Sequence, residues 1–114
     1  MAKNRVYADG RFLYLEVPSG TESGDPVVVG DIPGVALIDR DDDDKATIDT
    51  SGVYKLEVEA KDDDGDAAIS VGDKLYYDAT DDEITKDDSD KLFGYALEAV
   101  DGGEKEEILV KVGY

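Results

Sequence analysis

The acidic residues of this chain are gathered into runs, and the apolar segments between the runs are only as long as β-strands. The runs are Asp41 to Asp44, Asp62 to Asp66, Asp81 to Glu83 and Asp87 to Asp90. With 30 acidic against 12 basic residues, the formal net charge is -18. Low hydrophobicity with high net charge is also the signature of disorder. Gathering the acids into loops, with patterned apolar segments between them, points instead to a folded domain.

Those segments read as strands. In Tyr54 to Ala60 apolar and charged residues alternate, which sets Tyr54, Leu56 and Val58 on one face and the charges on the other. Arg11 to Val17 alternates likewise, with Leu13, Leu15 and Val17 inward and Phe12, Tyr14 and Glu16 outward. Val27 to Val29, Val35 to Ile38, Leu75 to Tyr77 and Ile108 to Val112 are short β-branched or aromatic runs, and Ala46 to Ile48 and Glu83 to Thr85 are weaker ones. Turn residues stand at Pro18-Ser19-Gly20, Gly30-Asp31, Pro33-Gly34, Gly72-Asp73 and Asp101-Gly102-Gly103. Asp90 to Val100 fits helical spacing behind an Asp90 cap, but Gly94 interrupts it. Phe93, Tyr95 and Leu97 also fit a period of two, and the strand reading is preferred. The expected fold is all-β: a single barrel or sandwich of about eight short, mostly antiparallel strands. An extended arm over residues 1–10 precedes a β domain over residues 11–114.

At 114 residues the chain has room for one core. It has no Cys and no His, which excludes thiolate zinc sites, thiol nucleophiles, serine-histidine triads and most transition-metal sites. No apolar stretch approaches the length of a signal core or membrane span, so a soluble protein is expected. The acidic surface repels nucleic acid and anionic membranes, and neither is expected as a partner. Concentrated salt suits such a chain, because a Debye length of about 3 Å in molar salt screens self-repulsion. A halophilic source follows as the expectation.

The acid runs are the candidate metal sites. Asp62-Asp63-Asp64-Gly65-Asp66 superficially resembles a calcium loop, but placing Gly65 at the sixth loop position leaves Ala60 at the first and Val71 at the twelfth. The first ligand and the bidentate Glu are both missing, so this run, like Asp41 to Asp44, reads as a solvated loop with weakly held cations at most. No pair of carboxylates stands out for glycoside hydrolysis, there is no Trp to stack a sugar, and the glycines match no phosphate loop. No catalytic residue, resident metal or cofactor is expected.

Charge is unevenly spread. Lys3, Arg5 and Arg11 lie within the first eleven residues, where Asp9 is the only acid. With Val6, Tyr7, Phe12 and Tyr14 they form a basic, aromatic segment suited to docking on an acidic partner surface. These seven residues are the candidate partner-binding set.

The order of motifs resembles the capsid cement, or decoration, proteins of tailed viruses. The likeness rests on the Met-Ala-Lys-Asn start, Gly24-Asp25-Pro26-Val27-Val28-Val29-Gly30, Ile32-Pro33-Gly34-Val35-Ala36 and Gly52-Val53-Tyr54-Lys55-Leu56. It continues through Gly72-Asp73-Lys74-Leu75-Tyr76-Tyr77-Asp78, Ile84-Thr85, Phe93-Gly94-Tyr95-Ala96 and Val110-Lys111-Val112. Two departures are Tyr77, where the family usually carries Trp, and the acidity, which a virus of a halophilic host would acquire. The resemblance implies a compact β domain, commonly a homotrimer, made in the host cytoplasm and carried on the outer capsid surface. There it clamps neighbouring major capsid proteins. The rival readings are a free acidic module, either a nucleic-acid mimic or a weak cation binder, and a small hydrolase using a carboxylate pair.

Overall fold

The computed structural model describes residues 11–113, and the arm expected over residues 1–10 lies outside the described residues. β1 (Phe12–Glu16), β2 (Pro26–Val29), β3 (Ile32–Ala36) and β4 (Lys45–Asp49) form a four-stranded sheet in the order β1-β4-β3-β2. β5 (Gly52–Glu59), β8 (Lys74–Asp78), β9 (Glu83–Thr85), β10 (Lys91–Ala96) and β11 (Lys105–Val112) form a five-stranded sheet in the order β5-β11-β10-β8-β9. β6 (Lys61–Asp62) and β7 (Gly65–Asp66) make a small hairpin. Every strand pairing among the described residues is antiparallel. The fold is therefore all-β, and because the sheets stay separate it is sandwich-like, with no closed barrel.

Period-two patterning builds the main core. Leu56 of β5 lies opposite Ile108 of β11, both buried; Val58 in β5 and Val110 and Val112 in β11 continue the buried rows. Leu75, Ile84, Phe93 and Ala96 extend the apolar face across the sheet, and Val35 and Val28 pack on it from the four-stranded sheet. The opposite face of the four-stranded sheet has its own core of Val17, Val27, Ala46 and Ile48, flanked by Leu13, Leu15 and Val29. Each Val, Leu, Ile or Phe among them contributes about 1.5–3 kcal/mol by leaving water. Strand β1 alternates as expected, with Phe12, Tyr14 and Glu16 exposed.

Several expectations need correction. Pro33 and Gly34 lie within β3 and form no turn; the turn is Gly30-Asp31, where Gly30 takes φ 61. Pro33 is tolerated because β4 pairs only with Val35 and Ala36, so no ladder toward β4 asks Pro33 for a donor. Gly34 is small for packing, since a Cβ there would lie 3.1 Å from Asp49 O and Ile48 Cδ1. β3 ends at Ala36, leaving Leu37 and Ile38 exposed beyond it. Asp90 to Val100 does yield a strand, but the register shifts between Leu92 and Gly94. That bulge breaks the simple alternation: Phe93 and Ala96 face the core, and Leu97 faces outward. The expected count of about eight strands omits β6 and β7, which form within the acid run itself.

The acid runs are mostly exposed and make hydrogen bonds within themselves. The first acid of a loop repeatedly accepts an amide two residues on: Asp41 from Asp43 at 2.9 Å, Asp62 from Asp64 at 2.9 Å, Asp78 from Thr80 at 2.9 Å and Asp87 from Ser89 at 3.0 Å. Short acids thus fold their own turns while later members of each run remain in solvent.

The bulge puts a strict demand on Gly94, where a Cβ would stand 2.2 Å from Lys111 O in the adjoining strand. Gly94→Ala must push β10 off β11, and we expect it to lower unfolding stability by about 3 kcal/mol in denaturant titration. A loss below about 0.5 kcal/mol would contradict this packing.

Candidate functional site

The exposed edge of the four-stranded sheet carries the described part of the partner-binding set. Phe12 is 46% and Tyr14 43% exposed, both on the outward side of β1. Register places Phe12 opposite Asp49 and Tyr14 opposite Thr47. Leu37, 38% exposed, donates its amide to Thr47 O at 2.9 Å and so extends this apolar strip. Cations lie over both rings: the Arg11 guanidinium is 4.8 Å from the Phe12 centroid and Lys45 Nζ is 5.4 Å from that of Tyr14. The Tyr14 hydroxyl donates to Asp41, and this bond is the main reason its ionisation is pushed up to about 12.

Beneath the strip lies the carboxylate of Asp49, 1% exposed. It accepts bonds from Arg11 Nε at 2.8 Å, Arg11 Nη2 at 2.9 Å, the Ser51 amide at 3.1 Å and the Tyr54 hydroxyl at 2.5 Å. Burial is the largest single influence on this group and favours its neutral form. The donors from Arg11, Tyr54 and Ser51 together outweigh it and hold Asp49 below the usual carboxylate range. Burial, followed by the bond to Asp49, pushes the Tyr54 hydroxyl up to about 12. Arg11 therefore has a structural partner, and 44% of its side chain still faces solvent. Lys3, Arg5, Val6 and Tyr7 lie outside the described residues. Leu37, Lys45 and Asp41 join the strip without having been anticipated; the one available signal was Lys45 directly behind the acid run.

The remaining carboxylates offer little chemistry. Oxygens of Asp62, Asp63 and Asp64, of Asp63, Asp87 and Asp88, and of Asp78, Asp81 and Glu83 come within 4.8 Å of one another. Asp63 is held above its ordinary range by Asp64 beside it, then by burial and by Asp87 and Asp88. These mostly exposed groups meet only the spacing a shared hard cation needs. Lys61 lies 3.3 Å from Glu59 and 2.8 Å from Glu83, and its hydrogen bond is the main reason Glu83 stays below the usual carboxylate range. A general acid for glycoside hydrolysis needs the opposite shift, so this pair is arranged as an ion-pair cluster.

A family model described as phage cement protein matches residues 8–112, nearly the whole chain. The chain belongs to the phage cement protein family. Searches of curated proteins and of solved structures returned no match. As a cement protein it has a structural, capsid-associated role. The β1 edge of this cement protein presents an exposed aromatic strip beside the ion pair of Arg11 with the buried Asp49.

The sign of the pH dependence follows. Asp49 is depressed in the folded chain, so its contribution is complete above the unfolded value of about 3.9 and is lost as pH falls through the folded value. We expect Asp49→Asn to be less stable than the parent near neutral pH, with the difference shrinking on acidification below about pH 4. Arg11→Gln should cost about 1–3 kcal/mol, less than for a fully buried pair because solvent screens the exposed guanidinium. Thermal unfolding of the variants across pH checks both, and a pH-independent deficit for Asp49→Asn would contradict the assignment.

Proposed function

We propose that this cement protein decorates the outer surface of a tailed-virus capsid as a homotrimer and clamps neighbouring major capsid proteins against internal pressure. The observation that carries the reading is the family match over residues 8–112. The exposed strip of Phe12, Tyr14 and Leu37 supports it, because aromatic side chains with cations over their rings suit a protein interface. On this reading residues 1–10 are a docking arm, and Lys3, Arg5, Val6 and Tyr7 meet the shell together with Arg11, Phe12 and Tyr14. Several copies at a three-fold position turn weak individual contacts into a stable clamp.

The setting is concentrated salt, with the protein made in the host cytoplasm and carried on the virion. Salt that shortens the Debye length to about 3 Å permits a body of charge -18 to crowd beside its neighbours. The same screening weakens long-range attraction, so affinity falls to apolar packing and short hydrogen bonds. This is where the exposed aromatic rings matter.

The test is co-sedimentation with undecorated capsids, comparing the full chain, a chain beginning at Arg11, and Lys3→Glu/Arg5→Glu. The full chain should bind and raise the temperature at which capsids rupture. The shortened chain should keep its β-sheet spectrum and bind at least tenfold more weakly. Full binding by both variants would refute the arm, and no binding by the full chain would refute the decoration reading.

A further inference from the structure

The outward face of the five-stranded sheet carries a row of side chains that the β1 edge does not account for. Register sets Val53 opposite Lys111, Lys111 opposite Tyr95 and Tyr95 opposite Lys74, so the four form one line across β5, β11, β10 and β8. The adjoining row places Lys55 opposite Leu109, and Leu97 lies beside it because its amide donates to Leu109 O at 3.0 Å. Val53 is 54%, Leu109 40% and Leu97 36% exposed. Lys111 Nζ rests 5.9 Å from the Tyr95 ring centroid.

Cations are scarce in this chain, and among the described residues most are taken by its own acids. Arg11, Arg40, Lys61, Lys86, Lys91 and Lys105 all stand in ion pairs. Among the described residues Lys55, Lys74 and Lys111 have no carboxylate partner, and all of them share this face. The other lysine outside an ion pair, Lys45, lies over Tyr14 at the β1 edge. An apolar strip with unpaired lysines is thus set into an otherwise acidic body.

We infer that this face receives a second copy of the chain. The lysines meet carboxylates of the neighbour's acid runs, and Val53, Leu97 and Leu109 are covered by it. The inference rests on the homotrimer reading and names the surface that builds it. Charge complementarity selects the occupant: any second copy brings a body of charge -18, and this face holds three of the four described lysines outside ion pairs to meet it. Laying the lysine row on an identical row would be repulsive. The contact therefore joins this face to a different, acidic face of the neighbour, the head-to-tail type that closes into a ring.

Light scattering after size exclusion in molar salt tests this on the full chain, Lys74→Glu/Lys111→Glu, Val53→Asp and, as a control away from the face, Lys91→Glu. The parent and control should run at trimer mass, and the two face variants at monomer mass with unchanged β-sheet circular dichroism. Trimers in both face variants would overturn the assigned surface while leaving the trimer standing. A parent that is a monomer at every salt concentration would remove the trimer and this inference with it, and a parent dimer would overturn the head-to-tail contact. Lysine acetylation of the parent gives a readout that needs no variant: Lys55, Lys74 and Lys111 should react several-fold more slowly in the trimer than after dilution to monomer. Equal reactivity would overturn the inference.

Discussion

The carboxylate of Asp49 is the charge around which the two sheets are joined. It ends β4, is closed off from water, and collects donors from Arg11 ahead of β1 and from Tyr54 in β5. An unpaired ion in that position would cost several kcal/mol, so each of its donors adds to the stability of the fold. Gly52 belongs to the same arrangement, since a Cβ there would lie 2.9 Å from Asp49 Oδ2 and 3.0 Å from Arg11 Nη2. The exposed strip of Phe12 and Tyr14 inherits its position from this cluster, because Arg11 holds the start of β1 against Asp49 and also lies over Phe12.

A chain so acidic must handle self-repulsion, and it does so by dividing its carboxylates among tasks. Asp49 is buried and paired, Asp41, Asp62, Asp78 and Asp87 fold turns, and Glu59 and Glu83 hold Lys61 between them. Asp31, Asp44, Asp73 and Glu57 pair with cations, and most of the other described acids face solvent, where salt screens them. Few cations are left over, which gives their location meaning: Lys45 stands beside the β1 strip, and Lys55, Lys74 and Lys111 stand on the outward face of the five-stranded sheet.

The alternation of Tyr54 to Glu59 and of Phe12 to Val17 was legible in the sequence because one face of each strand packs on a core and the other meets solvent. Phe93 to Leu97 was legible as strand, while its facing was not. A bulge next to Gly94 reverses the alternation, and that bulge depends on how closely Lys111 of another strand approaches. Pro33-Gly34 resembles a turn in any local reading, and only the limited pairing of β3 with β4 explains its place in a strand. Of the candidate site, the exposed rings of Phe12 and Tyr14 followed from periodicity. The partners of Arg11 and Tyr14 did not, because Asp49 and Asp41 are 38 and 27 residues distant in the chain.

The structural, capsid-associated role of a cement protein asks for a stiff body. Two antiparallel sheets, a core on each face of the smaller one and the half-buried Arg11–Asp49 ion pair at their junction provide that stiffness. The central claim is that this body sits on the outside of a capsid, and an electron cryomicroscopy map of the native virion tests it most directly. The account predicts sandwich-shaped density on the outer shell at three-fold positions, with the β1 edge directed toward the major capsid protein. A shell bare of such density, or the protein found on the inner surface or the tail, would contradict it.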